Sequence, residues 1–430
     1  MQTIHITGGR PLSGTLRPAC AKNSVLPLLA ASLLCRAPCA FTHVPRLSDV
    51  DTSLALLRAV GAGAMRQGTT VTTWPVPDCT LTGAVPPAQA GAMRSSVFYL
   101  APLLCRCGTV RLPLPGGCRL GPRPVDIHLA GLTAMGAQVE LSADAIRITR
   151  NGWLHGTDFT LRLPSVGATL TLMMAACCAA GTTVLRGAAC EPEIADTAAF
   201  LNACGARIAG AGTSTLRIRG TGGDLLGGCC HTVLPDRIAA STYAAATAIA
   251  GGRVTVEGCP PRYLAAFLDF LGAAGCSVVR GSGRFTVSRC PARPLKGGQD
   301  LVASAYPGLA TDAAPLAAAV LLGADGPSRI YDGLFQNRFA CAAGFAALGA
   351  GAQAEGRLLR LAGGAELHGG TVTAPDLRGG AALVLAGLGA KGTVRVADAG
   401  HIRRGYAHLA QDLAGLGAQC RSLTEDASEE

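Results

Sequence analysis

The sequence predicts an α/β protein of two domains, in which two kinds of helix and several short strands recur six times. Its 430 residues exceed what one ordinary core holds and suit two domains. Hydrophobic residues make up 49% of the chain, aromatic residues only 4%, and there are 57 glycines. A core of this composition must pack small aliphatic side chains closely, with many tight turns.

The first kind of helix is amphipathic and ends in a pattern close to Leu/Phe-x-x-x-Gly-(Ala/Cys). A glycine at this place suits the left-handed conformation that stops a helix. The repeats are about 70 residues apart, which is longer than the period of common solenoids. The closing glycines are Gly61, Gly136, Gly205, Gly275, Gly349 and Gly417.

The second kind of helix is apolar around most of its circumference, which predicts that it is buried inside its domain. Short strand patterns follow these helices, and alternating runs such as 145–148 and 215–218 indicate half-buried strands. Three units in each domain is the natural packing, and a cleft between two domains is the expected place for a ligand. The six helices cover residues 22–34, 93–104, 166–180, 237–250, 312–322 and 377–388.

The net charge of +10 comes almost wholly from arginine, since Lys22, Lys296 and Lys391 are the only lysines. The arginines are scattered and not interleaved with aromatic residues, which argues against a nucleic-acid surface and favours anionic small substrates. The longest apolar run, 170–180, is too short to span a membrane.

The 18 cysteines are interpreted as free thiols. Residues 1–6 predict a strand and not a signal peptide, so a reducing compartment is expected, where cysteines serve as small hydrophobic residues. Cys35 and Cys39, like Cys105 and Cys107, have no second pair or histidines nearby in the sequence. Neither a metal site nor a cofactor is therefore expected.

Ordered motifs between Ile4 and Gln419 resemble the enolpyruvyl transferase family. The resemblance implies an inside-out α/β barrel in each of two domains, with three units of βαβαββ type per domain and buried helices. It places the first domain at 22–234 and the second at 1–21 with 235–430. The motifs include Ala21-Lys22-Asn23-Ser24, Gly116-Gly117-Cys118-Arg119, Ser165-Val166-Gly167, Leu234-Pro235-Asp236-Arg237, Thr311-Asp312, Asn337-Arg338-Phe339, Asp376-Leu377-Arg378 and Arg404-Gly405-Tyr406.

The activity implied by this resemblance is transfer of the enolpyruvyl group of phosphoenolpyruvate to the 3-hydroxyl of UDP-N-acetylglucosamine, with release of phosphate. This is the first committed step of peptidoglycan precursor synthesis, in the cytoplasm, and no obligate protein partner is evident. Transfer to shikimate 3-phosphate is the alternative, which the Gly-Gly-Cys loop disfavours. A non-catalytic nucleotide-sugar-binding paralogue is the third reading, supported only by departures from the family pattern at Ser48, Leu163, Ala239 and Arg403.

Cys118 follows two glycines, and the neighbouring Arg119 and Arg123 can lower the pKa of its thiol. The resemblance implies that this cysteine protonates C3 of phosphoenolpyruvate, is alkylated by fosfomycin and lies on a lid that closes over the substrate. Lys22 begins a buried helix beside Asn23, where backbone N–H groups favour an anion. The resemblance implies that both bind the phosphate and the tetrahedral intermediate and that Lys22 is catalytic. Asp312 is expected to take the proton from the sugar hydroxyl, although helix capping would also explain an aspartate there.

Further binding residues follow from the same resemblance. Arginine forks match phosphate and carboxylate groups, so Arg94, Arg123, Arg378 and Arg404 are the expected cationic ligands. Arg404 is also expected to be catalytic, near the carboxylate. The remaining expected substrate contacts, mostly around the uridine diphosphate, are Pro124, Val125, Asp126, Ile127, Ser165, Val166, Gly167 and Leu334.

Overall fold

A computed structural model describes residues 2–116 and 124–424. The described chain divides into two compact units. The first unit consists of residues 20–116 and 124–234, and the second unit of residues 2–19 and 235–424.

The helices of the first unit alternate between buried and amphipathic ones. They are α1 (Lys22–Ala31), α2 (Ser48–Ala59), α3 (Pro87–Ala92), α4 (Leu100–Cys107), α5 (Asp126–Ala134), α6 (Val166–Cys178) and α7 (Pro192–Ala203). Short 3-10 helices cover Ser32–Leu34, Asp78–Thr80 and Arg94–Tyr99.

The strands of the first unit form three small sheets. In spatial order, the first contains Cys230–Thr232, Cys39–Thr42, Thr70–Trp74 and Gly63–Gln67. The second contains Arg207–Ala209, Thr215–Arg219, Thr182–Arg186 and Asp158–Thr160. The third contains Thr109–Pro113, Ala145–Arg150 and Ala137–Leu141.

The second unit repeats this plan. Its α-helices are α8 (Arg237–Ala250), α9 (Ala265–Ala273), α10 (Ala314–Leu321), α11 (Ala342–Ala347), α12 (Leu377–Leu388) and α13 (Leu409–Gly415). Its 3-10 helices are Pro261–Leu264, Thr311–Ala313 and Ala399–Arg404.

Three four-stranded sheets complete the second unit. In spatial order, the first contains His368–Thr373, Lys391–Ala397, Gln2–Thr7 and Gln419–Thr424. The second contains Ser277–Arg280, Arg284–Arg289, Gly252–Glu257 and Leu12–Leu16, and the third Asp300–Ala303, Ser328–Asp332, Leu358–Leu361 and Ala352–Glu355. In each of these sheets one parallel pair is extended by antiparallel strands.

The six closing glycines predicted from the sequence end helices as expected. Each has a left-handed backbone, with φ between 93° at Gly61 and 102° at Gly417. In five repeats the amide that follows the glycine donates to a carbonyl five residues earlier, as Ala62 does to Leu57 at 2.9 Å. This hydrogen bond is the signature of a Schellman motif, which satisfies the last carbonyls of the helix. The other four amides belong to Ala206, Cys276, Ala350 and Ala418.

The predicted buried helices are confirmed, and they pack on one another within each unit. In the second unit α8, α10 and α12 are in mutual contact and are built largely from alanine, leucine and valine with almost no exposed surface. Because their side chains are small, the helix axes can approach closely, and the sheets and amphipathic helices cover them. In the first unit the corresponding helices are α1, the 3-10 helix Arg94–Tyr99 with α4, and α6.

The helices in the described residues are too short or too polar to cross a lipid bilayer.

Candidate functional site

The predicted site residues are distributed over both units. Lys22, Asn23, Arg94 and the residues of α5 and α6 belong to the first unit, and Asp312, Leu334, Arg378 and Arg404 to the second. Cys118 and Arg123 lie outside the described residues.

Lys22 is the first residue of α1, as predicted, and its ammonium group is held by a carboxylate. Its Nζ donates to Oδ2 of Asp49 at 3.2 Å, and the two side chains are only 13% and 8% exposed. Asp49 lies in the first turn of α2, which packs against α1. The pair therefore fixes a cation at the start of a buried helix, where backbone N–H groups also favour an anion.

The beginning of α1 is tied to the far end of the same unit. The Ser24 hydroxyl donates to Asp196 of α7, and the other oxygen of Asp196 lies 3.0 Å from Nε2 of His231. Asp196 and His231 are about a tenth exposed. This network orients the helix that carries Lys22 and Asn23, and the sequence argument missed it because its members are far apart in the chain.

Arg94 opens the 3-10 helix Arg94–Tyr99, which packs against both α1 and α6. Tyr99, at the end of this segment, is buried, and its hydroxyl lies 2.6 Å from Oγ of Ser53 in α2. The segment that presents Arg94 is thus fixed to α2, the helix that also carries Asp49.

The starts of α5 and α6 are brought together. Asp126 and Ile127 begin α5, after Pro124 and Val125, and Arg162 donates to the Asp126 carboxylate. A Cβ on Gly167 would lie 2.7 Å from Nε2 of His128, so a larger residue here would have to displace the His128 side chain of α5.

Ser165 is the N-cap of α6, and its hydroxyl accepts the amide of Ala168 at 3.3 Å. Val166 and Gly167 form the first turn and remain partly exposed. The predicted contacts to a diphosphate therefore include a helix start with accessible backbone.

In the second unit the carboxylate of Asp312 is gripped by two buried arginines. Arg378 donates to Oδ2 from Nε and Nη2 at 3.3 and 3.2 Å, and Nη2 of Arg338 lies 3.1 Å from Oδ1. The arginine side chains are 3% and 2% exposed, whereas the Asp312 side chain is 27% exposed. The carboxylate thus has fixed charge partners on its inner side and an accessible outer side.

The capping interpretation of Asp312 is wrong. The residue lies in the 3-10 helix Thr311–Ala313, whose N-cap is Ala310 and which has no side-chain cap. The Asp312 carboxylate is engaged by Arg338 and Arg378, so it is positioned for charge interactions.

Leu334 is joined to Asp312 through a network that the sequence argument did not assign. Oδ1 of Asp332 accepts the amide of Leu334 at 2.8 Å, while its Oδ2 accepts the hydroxyl of Thr311. Nε of Arg338 donates to the same hydroxyl at 2.9 Å. The motif Asn337-Arg338-Phe339 was the signal that could have identified Arg338, which is among the largest fully buried side chains of the described residues.

Arg378 is surrounded by groups that keep it charged. Burial alone would lower the pKa of its guanidinium, but Tyr406 and Asp312 raise that pKa above its ordinary value. The guanidinium lies 5.4 Å from the centre of the Tyr406 ring. Arg404 is the last residue of the 3-10 helix Ala399–Arg404. It precedes Tyr406, the residue that contacts Arg378, by two positions in the sequence.

The two units thus offer different sets of charges. The first presents a lysine and an arginine at the starts of adjoining helical segments, and the second presents an aspartate with two arginines behind it. Cations of this kind bind phosphate and carboxylate groups, and a partly exposed carboxylate can accept a hydroxyl proton.

Known proteins with a similar sequence cover the whole chain. Residues 6–413 match the family model described as EPSP synthase (3-phosphoshikimate 1-carboxyvinyltransferase). A UDP-N-acetylglucosamine 1-carboxyvinyltransferase of Nitratidesulfovibrio vulgaris is 40% identical over 425 residues, which are 99% of this chain and 100% of the relative. A protein named UDP-N-acetylglucosamine 1-carboxyvinyltransferase 1 from Symbiobacterium thermophilum is 43% identical over 420 residues, or 96% and 93% of the two chains.

The fold has a solved counterpart. The crystal structure of the enolpyruvyl transferase NikO from Streptomyces tendae superposes with a TM-score of 0.86 at 27% sequence identity, and 99% of each chain is covered. The predicted fold class is confirmed by this similarity.

Proposed function

The chain belongs to the EPSP synthase family, and from this premise we propose that it transfers the enolpyruvyl group of phosphoenolpyruvate to the 3-hydroxyl of UDP-N-acetylglucosamine. The observation that carries the choice of acceptor is 40% identity, over essentially the full length, to a relative named for that sugar nucleotide. The reaction releases phosphate and serves peptidoglycan precursor synthesis in the cytoplasm.

The proposed chemistry needs one acid, one base and several cations. The O3–H bond of the sugar breaks as O3 bonds to C2 of phosphoenolpyruvate, and C3 gains a proton. The tetrahedral adduct then loses phosphate from C2 and a proton from C3, which restores the double bond in the product. A thiol that gives and retakes the C3 proton leaves the atom balance unchanged, and this is the role proposed for Cys118.

Asp312 is the proposed acceptor of the hydroxyl proton. Arg338 and Arg378 hold its carboxylate from behind, and its exposed side can reach a ligand. The two guanidinium groups fix the direction of the carboxylate, so that it can orient a hydroxyl group. We therefore assign Asp312 the positioning of O3 as well as the uptake of its proton.

Cations of both units are proposed to hold the donor. In the first unit Lys22, with Asn23 beside it, would bind the phosphate of phosphoenolpyruvate, and Arg94 and Arg123, together with Arg404 of the second unit, would bind the remaining anionic groups. As phosphate leaves, negative charge grows on its oxygens, so a fixed cation stabilises the transition state more than the ground state.

Phosphate release from phosphoenolpyruvate tests the proposal. The wild-type protein should release phosphate when UDP-N-acetylglucosamine is supplied and much less with shikimate 3-phosphate. Cys118→Ser should abolish or severely reduce the rate. Cys290→Ser is the matched control, because Cys290 is an exposed thiol of the second unit and should leave the rate unchanged.

Each other result has a definite meaning. Activity with shikimate 3-phosphate alone would overturn the acceptor, and thermal stabilisation by the nucleotide sugar without turnover would indicate a binding paralogue. Fosfomycin supplies a second readout: peptide mapping should find the adduct on Cys118 and not on the exposed Cys79, Cys230 or Cys290. An adduct only on those three would remove the proposed catalyst.

A further inference from the structure

Four cysteine side chains meet in the first unit, at a place that the proposed reaction does not use. The Sγ atoms of three of them all lie within 4.8 Å of one another, and the fourth Sγ lies 3.5 Å from that of Cys204. This thiol cluster consists of Cys35, Cys39, Cys204 and Cys229.

The cluster is assembled from three distant parts of the chain. Cys35 follows the 3-10 helix Ser32–Leu34, and Cys39 begins the strand Cys39–Thr42. Cys204 is the C-cap of α7, and Cys229 directly precedes the strand Cys230–Thr232. Most of the sequence of the unit lies between Cys39 and Cys204. Spacing along the sequence therefore gives no sign that the four cysteines could bind one ion.

The backbone around the cluster is shaped to bring the sulfur atoms together. The amide of Gly227 donates to the carbonyl of Cys204 at 2.6 Å, and the amide of Ala40 donates to that of Cys229 at 3.0 Å. A Cβ on Gly228 would lie 2.2 Å from the carbonyl oxygen of Pro38, so glycine is needed for this approach. The close packing of the two segments therefore depends on residues next to the cysteines.

Three of the four cysteines are buried, Cys229 is partly buried, and the hydrogen bonds of Cys39 and Cys229 to backbone carbonyls are long. Cys35 and Cys39 are each 1% exposed and Cys204 4% exposed. Outside the cluster, the Cys39 thiol reaches the carbonyl of Ala37 only at 3.7 Å, and that of Cys229 reaches Phe200 at 4.0 Å. These distances are at the long end for thiol donors. Cys39 also contacts the side chain of Thr73, and its other side-chain hydrogen bonds are to Cys35 and Cys204.

We propose that the thiol cluster binds one tetrahedral metal ion, of the borderline or soft class that prefers thiolate ligands, with zinc the leading candidate. Sulfur atoms bound to one zinc ion at about 2.3 Å lie roughly 3.8 Å apart. The Sγ atoms of Cys35, Cys39 and Cys204, all within 4.8 Å of one another, are close to that arrangement, and Cys229, whose Sγ lies 3.5 Å from that of Cys204, is the proposed fourth ligand. Closed four-cysteine sites of this kind are structural, and the thiols lose their protons when the ion binds.

The ion would stabilise the first unit and take no part in transfer. It would join residues 35–39, which follow α1, to residues 204–229 at the end of the unit. Lys22 begins α1, which spans about 15 Å, and Cys35 lies four residues beyond the other end of this helix. The metal proposal therefore does not depend on the proposed function.

Among the described residues, no other group of three cysteine, histidine or acidic ligand atoms comes as close together. Cys105 and Cys178 are a matched control, because they are buried and hydrogen-bonded to each other but form no such group.

The experiment measures metal in tag-free protein produced with zinc supplied in the medium. Elemental analysis should find one zinc ion per chain in the wild type and in Cys105→Ser, and less than a tenth of that in Cys39→Ser/Cys204→Ser. A chelator should lower the melting temperature of the wild type and of Cys105→Ser but not that of the double variant.

A wild-type measurement covers the case in which the double variant fails to fold. Protein refolded with Co²⁺ alone should show the thiolate-to-cobalt charge-transfer bands and strong visible absorption of a tetrahedral site. Absence of zinc together with absence of these bands overturns the proposal, as does a disulfide between cluster cysteines in protein kept under reducing conditions. Loss of zinc in Cys105→Ser would likewise contradict the assignment of ligands.

Discussion

The six buried helical segments begin in two different ways. Three have a side-chain N-cap: Ser165 caps α6, Asp236 caps α8 and Asp376 caps α12. The other three begin after Ala21, Met93 and Ala310, none of which can supply a side-chain cap.

The three segments without a cap carry charged residues that the sequence argument assigned to substrate. Lys22 and Arg94 are the first residues of theirs, and Asp312 is the second residue of its own. A cap satisfies amide groups and adds stability, whereas an unoccupied first turn leaves amide groups for a ligand. The difference indicates that the uncapped repeats leave the amide groups of their first turn to a ligand, whereas side chains stabilise the first turn of the capped repeats. The capped α6 and α12 combine both tasks, because Ser165 and Arg378 are also expected substrate contacts.

Among the substitutions that test ligand binding by the uncapped segments, Asp312→Asn should have the largest effect on activity. The amide keeps the size of the carboxylate but neither carries its charge nor accepts a proton, so kcat should fall by about 1,000-fold. Phosphate release under saturating substrates measures this. Asp300→Asn, at an exposed ion pair of the same unit, should leave kcat within a factor of two. An Asp312→Asn enzyme with near-normal kcat would contradict the assigned role.

Lys22→Ala should lower both activity and stability, and a second variant separates the two effects. Loss of the cation should reduce kcat/KM by about 100-fold or more. It also removes the charge partner of the buried Asp49, at a cost of about 3 kcal/mol in the free energy of unfolding.

The double variant Lys22→Ala/Asp49→Asn should recover most of the stability and none of the activity, as measured by urea unfolding and phosphate release. Recovery of activity along with stability would mean that Lys22 serves the fold alone.

Asp236→Ala tests how much a side-chain cap contributes to the free energy of unfolding. Its carboxylate accepts the amides of Ile238 and Ala239 at 2.8 and 3.0 Å, so alanine should lower the free energy of unfolding by about 1–2 kcal/mol. Asp236→Asn keeps a capping oxygen and should lose less than half as much. If asparagine destabilised the protein as strongly as alanine, charge and not capping would be the reason for aspartate at this position.

Much of this fold could be predicted because its signals are local. A glycine such as Gly205 stops its helix through its own backbone conformation, with φ of 101°. A segment such as 377–388 has apolar residues on all sides, which predicts burial without any knowledge of its neighbours. Local signals of this kind determine where helices begin and end.

The site was only partly predictable because its contacts are not local. The interaction of Asp312 with Arg378 joins residues 66 positions apart, and no periodicity marks such a pair. Arg338 and Asp332 were passed over as catalytic or binding residues since a buried arginine looks like any other arginine in a sequence. The thiol cluster is hidden in the sequence for the same reason, because its cysteines come from distant parts of the chain.

Ser165 is both a helix cap and an expected substrate contact, and its substitution has the smallest predicted effect. The effect on KM shows whether it has the second role. It caps α6 through the amide of Ala168, yet the resemblance also places it beside the uridine diphosphate. Ser165→Ala should cost about 1 kcal/mol of stability from the lost cap. If its hydroxyl also contacts the nucleotide, KM for UDP-N-acetylglucosamine should rise by about fivefold with kcat unchanged, since a neutral hydrogen bond contributes about 1 kcal/mol. Ser165→Thr keeps the hydroxyl and should restore both quantities. A loss of stability with no change in KM would place Ser165 among the caps alone.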